Sequence, residues 1–161
     1  MADPNNSVER VRAALLGAGH EDTIAEFPDG TRTAADAAAA VGCTVAQIAK
    51  SIVLRAGDQV VLVIASGINR VDVAKVSALV GTPVKSADAR WVRDVTGFAI
   101  GGVAPLGHLT APRVLIDADL MTLDPVWAAA GSPKLAFRTT AAEIVRMTGG
   151  QIAGVKEVAA P

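Results

Sequence analysis

Cysteine, histidine and aromatic residues are scarce in this chain. It has one cysteine, two histidines, two tryptophans, three phenylalanines and no tyrosine. A lone Cys43 excludes an intrachain disulfide and suits a reducing compartment. Cys43, His20 and His108 are too scattered to predict a zinc site, so we expect neither a metal nor a cofactor. The aromatic residues are also too widely spaced to predict a base-stacking platform.

A large charge of either sign is absent as well. Fifteen basic and 16 acidic side chains give a net charge of −1, which excludes a general field for long nucleic acids such as DNA. Any RNA contact is therefore expected to be local. The longest apolar run, Val60–Ala65, is too short to span a membrane, and the first residues do not resemble a signal peptide. We predict a cytoplasmic protein without membrane contact.

The chain is nevertheless rich in apolar residues, at 51% of its 161 positions, which predicts one globular domain over residues 1–161. Helical and extended patterns alternate along it. Helices are predicted after an N-cap at Ser7, over 33–41, 44–49, 72–80, 87–95 and 124–130, and after an N-cap at Thr140. Strands are predicted over 23–27, 51–55, 60–65, 84–86, 114–117 and 135–138, with a turn at 28–30. Because Gly57-Asp58 joins two strands as a hairpin, we expect an α+β fold with a mixed, largely antiparallel sheet.

Two features do not fit a purely structural pattern. Residues 97–108 contain four glycines and a proline, which is poor material for a strand or a helix. Successive backbone N–H groups in such a turn can converge on an anion or a carbonyl oxygen, although an ordinary bend has the same composition. Lys50 enters an apolar strand, where a lysine either protects the strand end or is held for a ligand.

These features recur in a known family. The segments AQIAKSIVLR, GFAIGGVAPLGH and AAAGSPKLAFRTTAAEIVRMTGG, in this order, resemble the YbaK/EbsC family, free-standing relatives of the editing domain of bacterial prolyl-tRNA synthetases. The resemblance runs from the first helix to about Val155. Its most specific part pairs the strand lysine with a Gly-x-x-x-Pro motif, here Gly101 to Pro105. It implies an α+β domain with a partly barrel-like sheet.

The resemblance also implies roles for individual residues. Lys50 takes the place of the lysine that binds the tRNA acceptor end, and Gly101 that of the glycine whose backbone holds the substrate near the reacting carbonyl. Ser132 matches a small or polar pocket position. Phe27 stands where some relatives have tyrosine. Ser51 stands where relatives that edit alanyl-tRNA tend to carry asparagine, which weakens the assignment to alanine.

Three further residues of the glycine turn, Gly102, Pro105 and His108, are assigned to substrate binding on the same grounds. For His108, polar filling of the turn is the alternative interpretation. Cys43 is a weak candidate nucleophile, because it lies at a predicted helix boundary.

The implied activity is deacylation of mischarged tRNA, of the Cys-tRNA(Pro) or Ala-tRNA(Pro) type, with prolyl-tRNA synthetase as a candidate partner. We predict substrate-assisted ester hydrolysis without a metal, in which Lys50 anchors charge and the Gly101 N–H binds the oxyanion. Two alternatives remain. One is a non-catalytic module that binds an aminoacyl-tRNA end or a synthetase in the same pocket. The other is an unrelated hydrolase, or a Schiff-base enzyme, in which Lys50 is the nucleophile.

Overall fold

Strands and helices alternate along the chain in the computed structural model, which describes residues 6–27 and 33–158. The strands are β1 (Ile24–Glu26), β2 (Ile48–Ala56), β3 (Gln59–Ser66), β4 (Lys85–Ser86), β5 (Arg113–Asp117), β6 (Val126–Ser132), β7 (Leu135–Thr139) and β8 (Gln151–Ala153). The α-helices are α1 (Ser7–Gly17), α2 (Ala34–Val41), α3 (Val73–Val80), α4 (Ala89–Thr96) and α5 (Ala141–Thr148). Short 3-10 turns occupy Val45–Gln47 and Ala118–Thr122.

One mixed sheet contains all eight of these strands. Its order is β1-β7-β6-β2-β3-β5-β8, with β4 paired to β2 beside this path. The pairs β1/β7, β6/β7, β2/β3 and β2/β4 are antiparallel, whereas β2/β6, β3/β5 and β5/β8 are parallel. The end strands β1 and β8 do not pair in the described part of the chain, so the sheet stays open. The predicted α+β class and the mixed sheet are confirmed.

Along one edge, strand β2 pairs with two different strands, and the space between these two strands positions the site. Its other edge pairs with β3 from Ala49 to Ala56. On the first edge, Ile48 and Ala49 pair with β6, while Leu54 and Arg55 pair with β4. Residues 50–53 between them pair with no strand on that edge within the described residues. A gap therefore opens in the sheet beside Lys50.

The core lies on both faces of the central strand β3. Each residue of Val60–Ala65 is at most 2% exposed, which explains why this run is apolar without alternation. One cluster packs α1, α4 and α5 against one face, through residues such as Leu15, Val92 and Ile144. A smaller cluster packs α3 against the other face, through Val76. Burial of apolar surface on both faces fixes the sheet as the rigid frame of the site.

The helices begin where short polar side chains cap them. Asp72, Asp88 and Thr140 each accept hydrogen bonds from first-turn N–H groups of α3, α4 and α5. The first helix is capped by Asn6, so the prediction of Ser7 as its cap is wrong by one residue. The predicted turn at 28–30 lies outside the described residues. No helix among those described is long and apolar enough to cross a membrane.

Two helix predictions are wrong where long-range pairing decides the structure. The predicted helix 44–49 is only a 3-10 turn, since β2 already begins at Ile48. The predicted helix 124–130 is strand β6, which pairs with β2 on one side and β7 on the other. Strand β8 was not predicted at all; its three residues pair with β5.

Candidate functional site

A cavity of about 300 Å³ opens at the gap in the sheet. Its walls come from β2, β6, α2 and the glycine-rich turn after α4. The walls are mostly small or aliphatic; Ala34, Ala37, Ile52, Val103 and Ala129 are examples. Four of the predicted site residues also line it: Lys50, Ser51, Gly101 and Ser132. The sheet gap therefore brings together residues that are up to 82 positions apart in the sequence.

Lys50 lies within β2, two residues past its start, and is half-buried. Burial lowers the pKa of the Lys50 ammonium, while the negative charge of Asp117 acts in the opposite direction and raises it. No hydrogen bond or ion pair of the Lys50 side chain occurs among the described residues. The ammonium is therefore partly desolvated and available to a ligand.

Asp117 supplies a fixed negative charge near the start of β2. It ends β5 and is only 1% exposed. Its carboxylate accepts hydrogen bonds from the Ser66 N–H at 3.0 Å, the Asn69 amide at 2.7 Å and the Asp119 N–H at 2.9 Å. Because Ser66 pairs with Ala49, the carboxylate lies beside the residue that precedes Lys50. Sequence reasoning treated Asp117 only as a strand residue.

The glycine-rich turn brings backbone to the cavity wall. Gly101 has φ +93°, a left-handed conformation that favours glycine, and it is exposed. The Gly102 N–H donates to the Ala99 carbonyl at 2.9 Å and closes the turn. The Gly101 N–H makes no hydrogen bond within the described part of the chain. It is therefore free to donate to a bound carbonyl or anion.

The side chain of Arg10, in α1, binds this turn. Its guanidinium donates to the Gly97 carbonyl at 2.7 Å and to the Gly107 carbonyl at 3.1 Å, and lies 5.0 Å from the centre of the Phe98 ring. Both ends of the glycine-rich segment are thus fixed to one side chain. Sequence reasoning missed Arg10, because no local pattern relates it to carbonyls 87 and 97 residues away.

Ser132 reaches the cavity because β6 is irregular at its end. The register of β6 against β7 shifts between Ala129 and Ser132. At the shift, Gly131 has φ +95°, and the Ser7 hydroxyl donates to its carbonyl at 2.7 Å. The Ser132 hydroxyl in turn accepts from the Lys134 N–H at 3.2 Å. This bulge and its anchor to α1 aim Ser132 at the same cavity.

The Ser51 hydroxyl is a buried polar group without a partner. Its oxygen is inaccessible to solvent and makes no hydrogen bond among the described residues. Ser51 alternates with Lys50 along β2, so the two side chains leave opposite faces of the strand, and both residues line the cavity beside the unpaired edge. Buried hydroxyls are normally paired, so this unpaired one lowers the stability of the fold.

The other predicted site residues lie outside the residues that line the cavity. Gly102, behind the turn, packs on Ser132, and Pro105 is buried. His108 bonds through Nε2 to the Ala104 carbonyl at 2.6 Å and packs against the Phe98 ring, so it stabilises the turn. Phe27 is half-buried, and its N–H donates to the Lys134 carbonyl at 2.7 Å. These four residues are not among those that line the cavity.

A metal centre and a reactive thiol are not visible in the described residues. Among these residues, His, Cys, Asp and Glu form no group of three or more that could hold a metal ion. Burial raises the pKa of the Cys43 thiol, which disfavours the nucleophilic thiolate, although a hydrogen bond to its own backbone acts in the opposite direction. Cys43 is not among the residues that line the cavity.

Known proteins share this architecture and much of the sequence. The family model described as the aminoacyl-tRNA editing domain matches residues 28–147. The uncharacterized protein YwhH of Bacillus subtilis (strain 168) is 32% identical over 139 residues, which cover 86% of this chain and 88% of YwhH.

Two solved structures are similar over almost the whole chain. A protein proposed to be a trans-editing enzyme for prolyl-tRNA synthetase is 43% identical, with a TM-score of 0.90, and the match covers 98% of this chain and 100% of that one. The hypothetical protein APE2540 is 27% identical, with a TM-score of 0.86, over 92% of this chain and 99% of that one.

Proposed function

This chain belongs to the aminoacyl-tRNA editing domain family, and on that premise we propose that it is a free-standing deacylase of mischarged tRNA. In this reaction, water cleaves the ester between an amino acid and the terminal ribose of tRNA. The observation that carries the proposal is the shared cavity of Lys50 and Gly101. One supplies a partly desolvated ammonium and the other a backbone N–H without an internal partner.

These two groups suit the charge changes of ester hydrolysis. Water attacks the ester carbonyl carbon, and the carbonyl oxygen becomes an oxyanion that the Gly101 N–H stabilises. The tetrahedral intermediate then expels the ribose oxygen, which leaves with a proton, so the products are a free amino acid and intact tRNA. The neighbouring ribose hydroxyl relays the proton from water to the leaving oxygen. Lys50 holds the acceptor end and stabilises negative charge without forming a bond to the substrate.

The cavity walls favour a small amino acid. Ala34, Ala37 and Ala129 leave limited room, and the hydroxyl of Ser132 offers a polar contact. Cysteine or alanine attached to the proline tRNA is the substrate type we propose. Because its net charge is only −1, the chain is expected to bind tRNA only at the acceptor end. Prolyl-tRNA synthetase is therefore the proposed partner that recognises the rest of the tRNA. We accordingly place the reaction in the cytoplasm.

The test is a panel of mischarged tRNAs treated with wild-type protein and with Lys50→Ala. Loss of the cavity ammonium is expected to lower the deacylation rate by about a hundred- to a thousand-fold, the cost of one such electrostatic group. Lys85→Ala is the matched control, because Lys85 is exposed on β4 and does not line the cavity.

Three results would contradict this proposal. Equal rates for Lys50→Ala and wild type would remove the lysine from the mechanism. A wild-type protein that binds charged tRNA but accelerates no hydrolysis would instead favour the non-catalytic binding module. Reduction with borohydride that trapped a substrate on Lys50 would favour the Schiff-base alternative.

A further inference from the structure

We propose that Trp127 is the stacking surface for the terminal adenine of the tRNA substrate, and that Arg138 beside it contacts the backbone phosphate that precedes this adenosine. The inference rests on the proposed function, since it assigns a nucleotide subsite to the same cavity. It follows from where β6 places these two side chains.

Trp127 lies on the cavity wall next to the lysine. It pairs with Ile48 across the parallel β2/β6 contact, and Lys50 is two residues further along β2, on the same face. A strand spacing of about 4.8 Å and a rise of about 3.3 Å per residue place the two Cα atoms roughly 8 Å apart. This separation suits a base on Trp127 and the ester-bearing ribose of the same nucleoside near Lys50.

The indole is open to a ligand. Trp127 is half-buried, and its Nε1–H makes no hydrogen bond within the described residues. Among the described residues, Trp127 is the only aromatic one that lines the cavity. The indole lies in a wall of alanines and aliphatic side chains, where an aromatic ring is suited to stack on a base. The expectation of no stacking platform considered only a row of aromatic residues and overlooked this single one.

Arg138 provides a positive charge beside Trp127. The two residues are direct cross-strand partners in the antiparallel β6/β7 pair, so their Cβ atoms are about 4.5–5.5 Å apart on one face. Arg138 is exposed, and its guanidinium makes no hydrogen bond or ion pair within the described part of the chain. A phosphate is a natural ligand for such a group, because the planar guanidinium donates two parallel hydrogen bonds to it. The sequence Lys50, Trp127, Arg138 then follows ester, base and phosphate outward from the cavity.

Tryptophan fluorescence tests base stacking without any measurement of activity. The chain has two tryptophans, so Trp91→Phe leaves Trp127 as the single emitter. Trp91 lies under the Arg55 guanidinium at 4.3 Å and does not line the cavity, so Trp127→Phe provides the matched control with Trp91 alone. The probe is the uncharged trinucleotide CCA, compared with the dinucleotide CC. We expect CCA to quench Trp127 emission saturably and more strongly than CC, while Trp91 emission stays constant.

Kinetics provide the second measurement. Trp127→Leu is expected to raise KM for a mischarged tRNA by about 5- to 150-fold with little change in kcat, as for loss of one base stack. Trp127→Phe should restore most of the affinity, because it keeps an aromatic face. Arg138→Gln should raise KM and lower the salt dependence of binding by about one phosphate contact.

The outcomes separate this inference from the proposed function. If wild type deacylates tRNA while CCA leaves Trp127 emission unchanged and Trp127→Leu has a normal KM, the adenine subsite is wrong and the deacylase stands. If CCA quenches Trp127 but no charged tRNA is hydrolysed, the nucleotide subsite stands and the deacylase fails. Equal quenching of Trp91 and Trp127 would also overturn the inference.

Discussion

Gly102 offers a sharp test of how the glycine turn supports the cavity. A Cβ atom at this position would lie 2.9 Å from the Ser132 Cα, 3.0 Å from the Ser132 N and 3.2 Å from the Gly131 carbonyl carbon. All three are backbone atoms, so no side chain can rotate away. The φ of Gly102 is outside the left-handed region, which means that Gly102→Ala tests packing and not backbone strain.

The expected loss of stability of Gly102→Ala follows from overpacking. A methyl group forced into a packed site costs about 1–3 kcal/mol. In a domain of this size, each kcal/mol lowers Tm by about 2–4 °C, so the variant should melt roughly 2–12 °C below wild type. Activity should fall as well, because the displaced Ser132 lines the cavity. A displacement of about 1 Å at a reacting group costs up to about a hundred-fold in kcat/KM.

Thermal denaturation by circular dichroism and a deacylation assay measure the two effects on the same samples. Gly17→Ala is the matched control: a Cβ there meets nothing within 4 Å, and the residue ends helix α1. It should leave activity unchanged and raise stability by up to about 1 kcal/mol. If Gly102→Ala melts with wild type and keeps its kcat/KM, the contact between the turn and Ser132 does not support the site as argued.

Two other predictions follow from unpaired polar groups. Ser51→Ala should stabilise the protein by about 1–3 kcal/mol, since it removes a buried hydroxyl without a partner; a lower Tm than wild type would mean that the hydroxyl is satisfied in solution. Burial lowers the pKa of His108 below its ordinary value of 6.5, Arg10 acts in the same direction, and the hydrogen bond to Ala104 opposes them. The unfolded chain therefore binds this proton first, so the contribution of His108 to the free energy of unfolding should be constant well above pH 6.5 and decrease as the pH falls from 6.5 toward the folded-state pKa. His108→Gln should flatten this dependence in urea titrations at pH 7.5 and 5.5, and an equal decrease in both proteins would assign it to other groups.

Local signals predicted those parts of the fold that local interactions decide. The β2–β3 hairpin was predictable because a Gly-Asp turn separates two apolar runs, and their register runs directly from Ala49/Ser66 to Ala56/Gln59. Strand β6 was not predictable from local signals, because its three consecutive alanines favour a helix in isolation. Hydrogen bonding to β2 and β7, which are distant or later in the chain, overrides that preference.

The candidate site shows the same difference between local signals and long-range contacts. The common position of Lys50, Gly101 and Ser132 in one cavity agrees with the family resemblance, because each stands in a motif that the resemblance covers; their roles stay predictions. The sequence did not point to Arg10 and Asp117, because their hydrogen bonds join parts of the chain that are far apart in sequence. Trp127 was overlooked for a related reason: its segment was predicted as a helix, which would have placed the indole away from the sheet gap.

The sheet gap explains why this chain keeps groups that would destabilise an ordinary core. A half-buried ammonium at Lys50 and an orphan hydroxyl at Ser51 lie on consecutive residues of a central strand, where apolar side chains would pack better. Both stand on the stretch of β2 that lacks a neighbouring strand on one edge, so a ligand can reach the Lys50 ammonium from the side of the sheet. Asp117 offsets part of the desolvation of Lys50 without blocking it, because its carboxylate is occupied by Ser66, Asn69 and Asp119. The Lys50 ammonium thus has no partner among the described residues, as the proposed role of an acceptor-end anchor requires.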